Sequence, residues 1–469
     1  MSTAPVPELA DRAAACADHL RDAGEVLLAS HIDADGLTSA AVAATALERA
    51  GIEFEAVFKK QLDAHEIATI AATDYDTVLF TDFGSGQLDD IARHEEQGDF
   101  TPVVADHHRP ADAETEYHLN PLLFGVDGAS ELSGAGAAYV LARALGGEAN
   151  RDLAALAVVG AVGDMQASGG ELHGANASIV REGCEAGVLR EVTDLALYGR
   201  QTRALPKLLE YSSDVHIPGI SNSESGSVGF LSDLDVDLKS GGEWRTWVDL
   251  TADERQTVAS ALVRRAVTRG VPAHKVEGLV GTTYTLSGEP EGTELRDASE
   301  FSTLLNATAR YERADVGLAV CLGDRESALE RARHLLTNHR RNLSEGLRWV
   351  QNEGITREDH LQWFDAGTHI RETIVGIVAG MAVGSDGVDR GVPIIAFASK
   401  SDEETKVSAR GTPGLVRAGL DLSRVMGEAS RAVGGKGGGH DVAAGATIPA
   451  SREREFLGHA DRIVGEQLG

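Results

Sequence analysis

Short apolar runs and helical patterns alternate over the first 190 or so residues. Glu25-Val-Leu-Leu-Ala-Ser30 reads as a buried strand, and a helix is expected from about Thr38 to Ala50. Thr77-Val-Leu-Phe-Thr81 and Thr101-Pro-Val-Val-Ala105 are two more strands, each followed by a polar or glycine-containing turn. Leu132 to Ala144 and Asp152 to Val162 read as helices built from small residues. Alternation of this kind predicts an α/β domain in which helices cover a mostly parallel sheet.

The texture changes from about 191 to 364. Ser221 to Ser227 reads as a loop and Asp233 to Gly242 as an acidic, glycine-containing stretch, with helices at Ala252 to Arg269 and Glu326 to Glu353. This is a helix-rich inserted or linking region. A third unit begins near Asp365. Ile370 to Met381, Val392 to Ala398 and Thr405 to Ala409 read as strand-like, followed by a glycine-rich turn and the segment Val442 to Pro449. A smaller α/β domain is expected there. The division is 1–190, 191–364 and 365–469, which suits a chain of 469 residues.

Composition narrows the setting. No run of about 18 apolar residues predicts a membrane span, and the first residues lack the basic start and apolar stretch of a secretory signal. Cys16, Cys184 and Cys321 have no partner at metal-ligand spacing, which excludes a disulfide framework and suits a reducing cytoplasm. The net charge is −30, from 73 acidic against 43 basic residues that are mostly arginine. The acid is scattered along the chain, as in proteins of salt-loving archaea, where solvent salt screens self-repulsion. A nucleic acid could not be gathered here by bulk attraction, which normally supplies much of the affinity. It would have to be held at close range by metal ions, arginines and backbone amides.

Four segments of the first domain end an apolar run with carboxylates or imidazoles. They are Ser30-His31-Ile-Asp33-Ala-Asp35-Gly36, Phe80-Thr-Asp82-Phe-Gly84, Val104-Ala-Asp106-His107-His108-Arg109 and Val162-Gly-Asp164-Met165. Loops at the carboxyl ends of parallel strands converge on one crevice, which gathers these groups. Carboxylates a few Å apart repel one another unless a cation neutralises them. Oxygen and imidazole ligands without thiolate suit Mn²⁺ or Mg²⁺, and imidazole favours Mn²⁺. Two ions sharing a carboxylate would clamp a phosphoryl group and activate water.

Asp106-His107-His108, with Asp33-Ala-Asp35-Gly36 upstream, resembles the signature of the DHH phosphoesterases. That superfamily includes RecJ exonucleases, manganese-dependent pyrophosphatases, oligoribonucleases and cyclic-dinucleotide phosphodiesterases. The resemblance implies that His31, Asp33 and Asp82 hold one metal, and that Asp35, Asp82, His107 and Asp164 hold the other, with Asp82 as the bridge. It further implies that Asp106 orients a ligand and that His108 faces the scissile phosphate, making Asp82, Asp106 and His108 the catalytic group.

Val407-Ser-Ala-Arg410 and Gly434-Gly-Lys-Gly437-Gly438-Gly439-His440-Asp-Val-Ala-Ala-Gly445 resemble the DHHA1 domain of RecJ-like enzymes. Consecutive glycines let backbone N–H groups approach an anion, and arginine grips phosphate with two donors. The resemblance places the substrate phosphate or terminal nucleotide on Arg410, Gly437, Gly438, Gly439 and His440. It is not a Walker loop, because Lys436 is followed by Gly437. Phe301-Ser-Thr-Leu-Leu-Asn306-Ala-Thr-Ala-Arg310 looks like archaeal RecJ-like proteins, with Asn306 and Arg310 on one helical face as further substrate contacts. Trp244, Trp247, Trp363, His334 and His339 are read as packing or surface.

The resemblance spans roughly residues 20–180 and 290–450. In archaeal relatives the gap holds an insertion associated with replication-complex binding, so a GINS-type partner is implied. The expected activity is RecJ-like exonucleolysis of single-stranded nucleic acid, 5′ to 3′ on DNA, with two metal ions. The alternatives are 3′ to 5′ cleavage of RNA, a phosphodiesterase for oligoribonucleotides or cyclic dinucleotides, a pyrophosphatase, and a non-catalytic replisome scaffold.

Overall fold

The computed structural model describes residues 4–167, 170–212, 215–385 and 387–469, which fall into two compact units, 1–333 and 334–469. The first unit is built on β1 (Glu25–His31), β2 (Glu53–Lys59), β3 (Thr77–Thr81), β4 (Thr101–Ala105) and β5 (Tyr117–Leu119), joined in the order β2-β1-β3-β4-β5. All four pairings are parallel. The order reverses between β1 and β3, so their carboxyl ends open a crevice, the usual place for a ligand in such sheets. One face of the sheet, with Leu27, Ala29, Val78, Phe80 and Val104, packs on α3 (Ala64–Ala71) and α4 (Leu88–Gln97). Val26, Leu28, Leu79 and Val103 lie at the alternate positions and are buried as well. This double burial explains why β1, β3 and β4 read as unbroken apolar runs.

Helix α1 (Ala10–Asp22) precedes β1, and α2 (Ala34–Ala50) begins four residues before the expected Thr38. Asp33 caps α2: its Oδ1 accepts from Gly36 N–H at 3.0 Å, so Asp35-Gly36 belongs to the first helical turn. Helices α5 (Gly134–Gly146), α6 (Ala154–Gly163) and α7 (Gly174–Glu185) complete this layer. Beyond β6 (Leu189–Leu195) the chain forms α8 (Leu205–Glu210), α9 (Glu224–Ser232), a hairpin of β7 (Lys239–Ser240) and β8 (Glu243–Trp244), α10 (Ala252–Thr268) and α11 (Ala273–Glu277). It returns on β9 (Val280–Leu286), which pairs antiparallel with β6. The stretch between the paired strands is helix-rich as expected and has its own core around Trp247, Val258, Leu262 and Ile217. The expected loop Ser221 to Ser227 is corrected in part. Ser223 caps α9 by accepting from Gly226 N–H, and the run continues as helix with Ser227 buried. Trp247 is fully buried and donates its Nε1–H to Asp194, in keeping with a packing role. Helices α12 (Ala298–Arg310) and α13 (Ala314–Cys321) follow, and the chain leaves the unit within α14 (Ser327–Glu353).

The second unit holds a six-stranded sheet, β10-β11-β12-β13-β15-β14. Its strands are β10 (Thr356–Arg357), β11 (Gln362–Asp365), β12 (Ile394–Ser399), β13 (Glu404–Arg410), β14 (Lys436–Gly439) and β15 (Ala443–Pro449). Only β11 and β12 run parallel. Ile395, Phe397 and Val407 face α17 (Leu422–Ala432) and α18 (Glu453–Leu468). Ile394, Ala396 and Ala398 face α15 (Val375–Ala382). The strand expected over Ile370 to Met381 is therefore wrong. Ile374, Val375, Val378, Ala379 and Ala382 are buried at helical spacing, and a short apolar run cannot be assigned by composition alone. The glycine-rich turn is corrected too: Lys436–Gly439 forms an edge strand against β15. Among the described residues no helix is long and apolar enough to cross a membrane.

Candidate metal centre

The crevice at the β1/β3 switch point gathers side chains from the ends of five elements. His31 is the last residue of β1, and Asp33 and Asp35 bracket the start of α2. Asp82 follows β3, Asp106 and His107 follow β4, and Asp164 closes α6. Three groups of ligand atoms each lie within 4.8 Å of one another: His31, Asp33 and Asp82; Asp35, His107 and Asp164; and Asp82, Asp106, His107 and His108.

Asp82 stands between the first two groups. Its Oδ2 is 3.6 Å from His31 Nδ1, which is 3.1 Å from Asp33 Oδ2. Its Oδ1 is 3.3 Å from His107 Nε2, which is 3.8 Å from both Asp35 Oδ2 and Asp164 Oδ2. The Asp82 backbone is held at φ 60°, a left-handed conformation that side chains other than glycine adopt at a cost of order 1 kcal/mol. Gly134, at the start of α5, makes room for the carboxylate. A Cβ at that position would stand 2.4 Å from Asp82 Oδ1.

The remaining polar atoms are tied down. Asp35 accepts from the N–H groups of Gly134 and Ala135 at 2.8 and 3.0 Å. His107 donates its Nδ1–H to the Gly128 carbonyl at 2.6 Å, which leaves Nε2 to point at the carboxylates. Gln166 donates to Asp164 at 2.8 Å and to the same Gly128 carbonyl at 2.9 Å, and is held in turn by Asn176 at 2.6 Å. Asp106 is fully buried and accepts from the backbone of Ser85, His107 and His108 and from His108 Nδ1. The His108 ring is thereby fixed with much of its surface in solvent.

Among the described residues of this crevice two buried atoms, Asp82 Oδ1 and His107 Nε2, have no hydrogen-bond partner and face each other at 3.3 Å. Orphans of this kind are costly and call for an explanation. The electrostatics match. Burial and the charges of Asp82 and Asp164 raise the Asp35 carboxyl well above the usual range, and burial raises Asp164 too. Burial works to lower His31 and His107, but the close carboxylates of Asp33, Asp82 and Asp35 lift them to about 10 and about 11. For Asp33 burial works upward, yet His31 and the Gly36 N–H bring it to about 2. The oxygen and imidazole donors, with no thiolate, fit divalent cations.

Asn306, on α12, turns its side-chain carbonyl to the N–H of Ala34 at 3.1 Å, between Asp33 and Asp35. Arg310 lies exposed at the end of the same helix. In the second unit, Arg410 pairs with Ala443 on one side of β15 and Gly439 with Ala444 on the other. The His440 N–H donates to the Ala443 carbonyl at 2.9 Å. Register thus brings Arg410, Gly439 and His440 to one end of this sheet. Gly439 is needed at φ 140°, whereas a side chain at Gly438 would meet nothing within 4 Å, so its backbone is open to an approaching group. Gln166, Asn176, Ser85, Gly128 and Gly134 escaped the sequence reading. The only hint was Gln166, two residues beyond an aspartate at a helix end.

A parallel sheet with this acidic, imidazole-bearing crevice, followed by a helical insert and a second α/β unit, has the donors of a site for divalent cations. The DHH family N-terminal domain matches residues 25–161, the DHH-CID domain 197–280 and the DHHA1 domain 367–466. The second range coincides with the separate core between β6 and β9. An uncharacterized protein of Methanocaldococcus jannaschii is 31% identical over 453 residues, 95% of this chain and 94% of that protein. RecJ of Thermus thermophilus, solved with Mn²⁺, aligns over 99% of this chain with TM-score 0.61 and 18% identity. The chain spans 55% of that RecJ's length. Cdc45 of Entamoeba histolytica aligns over 96% of this chain and 97% of its own, with TM-score 0.67 and 12% identity. The chain belongs to the DHH/DHHA1 superfamily of phosphoesterases and is RecJ-like in fold.

Proposed function

We propose that the chain hydrolyses phosphodiester bonds of single-stranded nucleic acid as a RecJ-like exonuclease, acting 5′ to 3′ on DNA, with two divalent ions and Mn²⁺ preferred. The observation that carries this reading is the pair of orphaned atoms, Asp82 Oδ1 and His107 Nε2, in a crevice where one carboxylate faces two ligand groups. In it, His31, Asp33 and Asp82 hold one ion, and Asp35, Asp82, His107 and Asp164 hold the other. Bound there, the ions supply charge neutralisation, a clamp on the phosphoryl group and activation of water. The protein's own contribution is placement. Asp106 fixes His108, whose hydrogen bond to Asp106, outweighing burial, keeps the imidazole protonated to higher pH than usual, so that it donates to a phosphate oxygen.

In the same reading, residues 1–190 form the catalytic part, 191–364 the linking part and 365–469 the substrate-binding part. Arg410, the Gly437–Gly439 backbone and His440 take the terminal phosphate or nucleotide. Asn306 serves the metal loop, through Ala34, and Arg310 remains a substrate contact. The cysteine usage suits a reducing cytoplasm, and the net charge of −30 a high-salt one.

The test is incubation with Mn²⁺ and single strands of DNA and RNA labelled separately at each end, at high salt. Labelled mononucleotide from 5′-labelled DNA is expected. Release from the 3′ end or from RNA would redirect the assignment within the superfamily. A second reading, a non-catalytic scaffold in a replication complex with a GINS-type partner, is favoured by the full-length likeness to Cdc45. Metal binding without cleavage of any strand would select it.

A further inference from the structure

Helix α6 ends in a Schellman motif directly at the metal centre. Met165 N–H donates to Val162 O at 3.1 Å and Gln166 N–H to Ala161 O at 3.0 Å, with Met165 at φ 60°. The left-handed position of this motif normally takes glycine. The same unit follows that rule at the ends of α2 and α4, where Gly51 and Gly98 occupy it at φ 73° and 77° with the same pair of bonds. Among the described residues of this unit a larger side chain stands there at the end of α12, where Glu312 is at φ 56°, and at the end of α6, where the side chain is apolar and adjoins a candidate ligand.

Among the described residues, packing does little to reward this side chain. Met165 is 86% exposed, the highest value among the large apolar side chains of the described residues. Its neighbours on either side are committed inward: Asp164 to the cluster with Asp35 and His107, and Gln166, 1% exposed, to Asp164 and Gly128. An apolar, polarizable thioether is thus held outward one residue, about 3.8 Å along the chain, from a candidate ligand. An exposed apolar side chain beside a candidate ligand, on a backbone that fixes its direction, is open to a group bound at that site.

We propose that Met165 packs against the base of the nucleotide adjoining the phosphate under attack. The inference rests on the reading above and adds a contact to it. A thioether meets any nucleobase face, so the contact tolerates sequence. It uses no charge, which suits a chain of net charge −30.

The test uses the full-length chain and short single strands in which each base in turn is replaced by an abasic site. Binding is read by anisotropy in EDTA, and KM and kcat are read with Mn²⁺. Met165→Ala is expected to raise Kd and KM about threefold to tenfold, the range of a sulfur–ring contact, with kcat nearly unchanged. Met165→Leu should recover most of the loss. One abasic position should erase the difference between wild type and Met165→Ala. Met165→Gly should weaken binding equally while keeping or raising Tm, because glycine relieves the backbone. Unchanged Kd and KM in Met165→Ala, a deficit that survives every abasic strand, or a Met165→Gly variant several degrees less stable would each overturn the inference while leaving the phosphoesterase reading intact. A wild-type chain that neither binds nor cuts any strand would remove both.

Discussion

Two buried clusters of charge in the first unit solve the same problem differently. In one, Arg200, 3% exposed, donates to Asp297 at 2.7 Å and to Asp194 at 3.0 Å. Trp247 completes Asp194, and the Ser299 and Glu300 N–H groups complete Asp297. Glu300 beside them accepts from Gln201 N–H and Thr202 Oγ1. In the other, the carboxylates at the β1/β3 switch point are met by imidazoles, backbone N–H groups and one glutamine amide, and two facing atoms are left over. Burying a charge is tolerable only with a partner of the opposite sign. Where the role is structural, this chain supplies an arginine. At the switch point the carboxylates are met by imidazoles instead, which suits the cations of the proposed reading.

The contrast is broken most sharply by removing its centre. Asp82→Ala deprives both ligand groups of their shared member. Mn²⁺-dependent cleavage is expected to fall by about a thousandfold or more. The Mn²⁺-induced rise in Tm, the linkage signature of binding to the folded state, should shrink with it. An active variant would dislodge Asp82 from the bridge and reduce the two clusters to variations on one theme.

Arg200→Met is the reciprocal change. It leaves Asp297 buried without its cation and takes one from the partly exposed Asp194, and breaking a buried pair from one side costs about 3–5 kcal/mol. A large loss of stability in urea is expected, with Mn²⁺ affinity of the folded fraction little altered. Wild-type stability would mean that the arginine is no more essential to its acids than the imidazoles are to theirs.

The sharpest sequence signals came from these same physical demands. β1, β3 and β4 are buried on both faces, so their apolar runs stood out, and the acids and histidines at their ends marked one crevice. β2 went unseen because it is a half-exposed edge strand, Glu-Phe-Glu-Ala-Val-Phe-Lys, without a run to betray it. The early start of α2 was hidden by Asp35-Gly36, which looks like a turn until Asp33 is seen capping it. β14 looked like a turn because four residues of Lys-Gly-Gly-Gly carry no side-chain pattern; only pairing with β15 makes them a strand. Gln166, Asn176 and the Gly128 carbonyl act through contacts across distant parts of the chain, which no local pattern encodes.

Asn306 sharpens the comparison at intermediate size. It binds neither cluster's charges but fixes the Ala34 N–H between two candidate ligands. Asn306→Ala is expected to weaken Mn²⁺ binding about tenfold, as for other groups that orient ligands. Calorimetric titration reads this directly, without turnover. Affinity equal to wild type, with a raised KM for the strand, would return Asn306 to the substrate contacts.

The finest distinction lies in pH. In the metal-free protein His31 and His107 hold protons up to about 10 and about 11. Their ligating atoms must lose those protons before a cation can bind, so Mn²⁺ uptake releases protons and affinity rises with pH, by up to tenfold per unit for each proton. The effect on stability has a definite sign. A pKa raised by folding stabilises below the unfolded value and ceases to do so as pH climbs through the folded one. The imidazoles therefore support the metal-free fold less as pH approaches 10, while the metal-bound fold gains. In the other cluster burial raises Glu300 to about 7, so its contribution fades between its ordinary value and neutrality. No ligand atom is involved there, and that loss is the same with or without metal. The Tm difference between Mn²⁺ and EDTA should accordingly widen from about pH 6 to pH 9, and Glu300→Gln should leave that widening untouched. A constant difference across this range would mean that the imidazoles at the switch point do not exchange protons for metal.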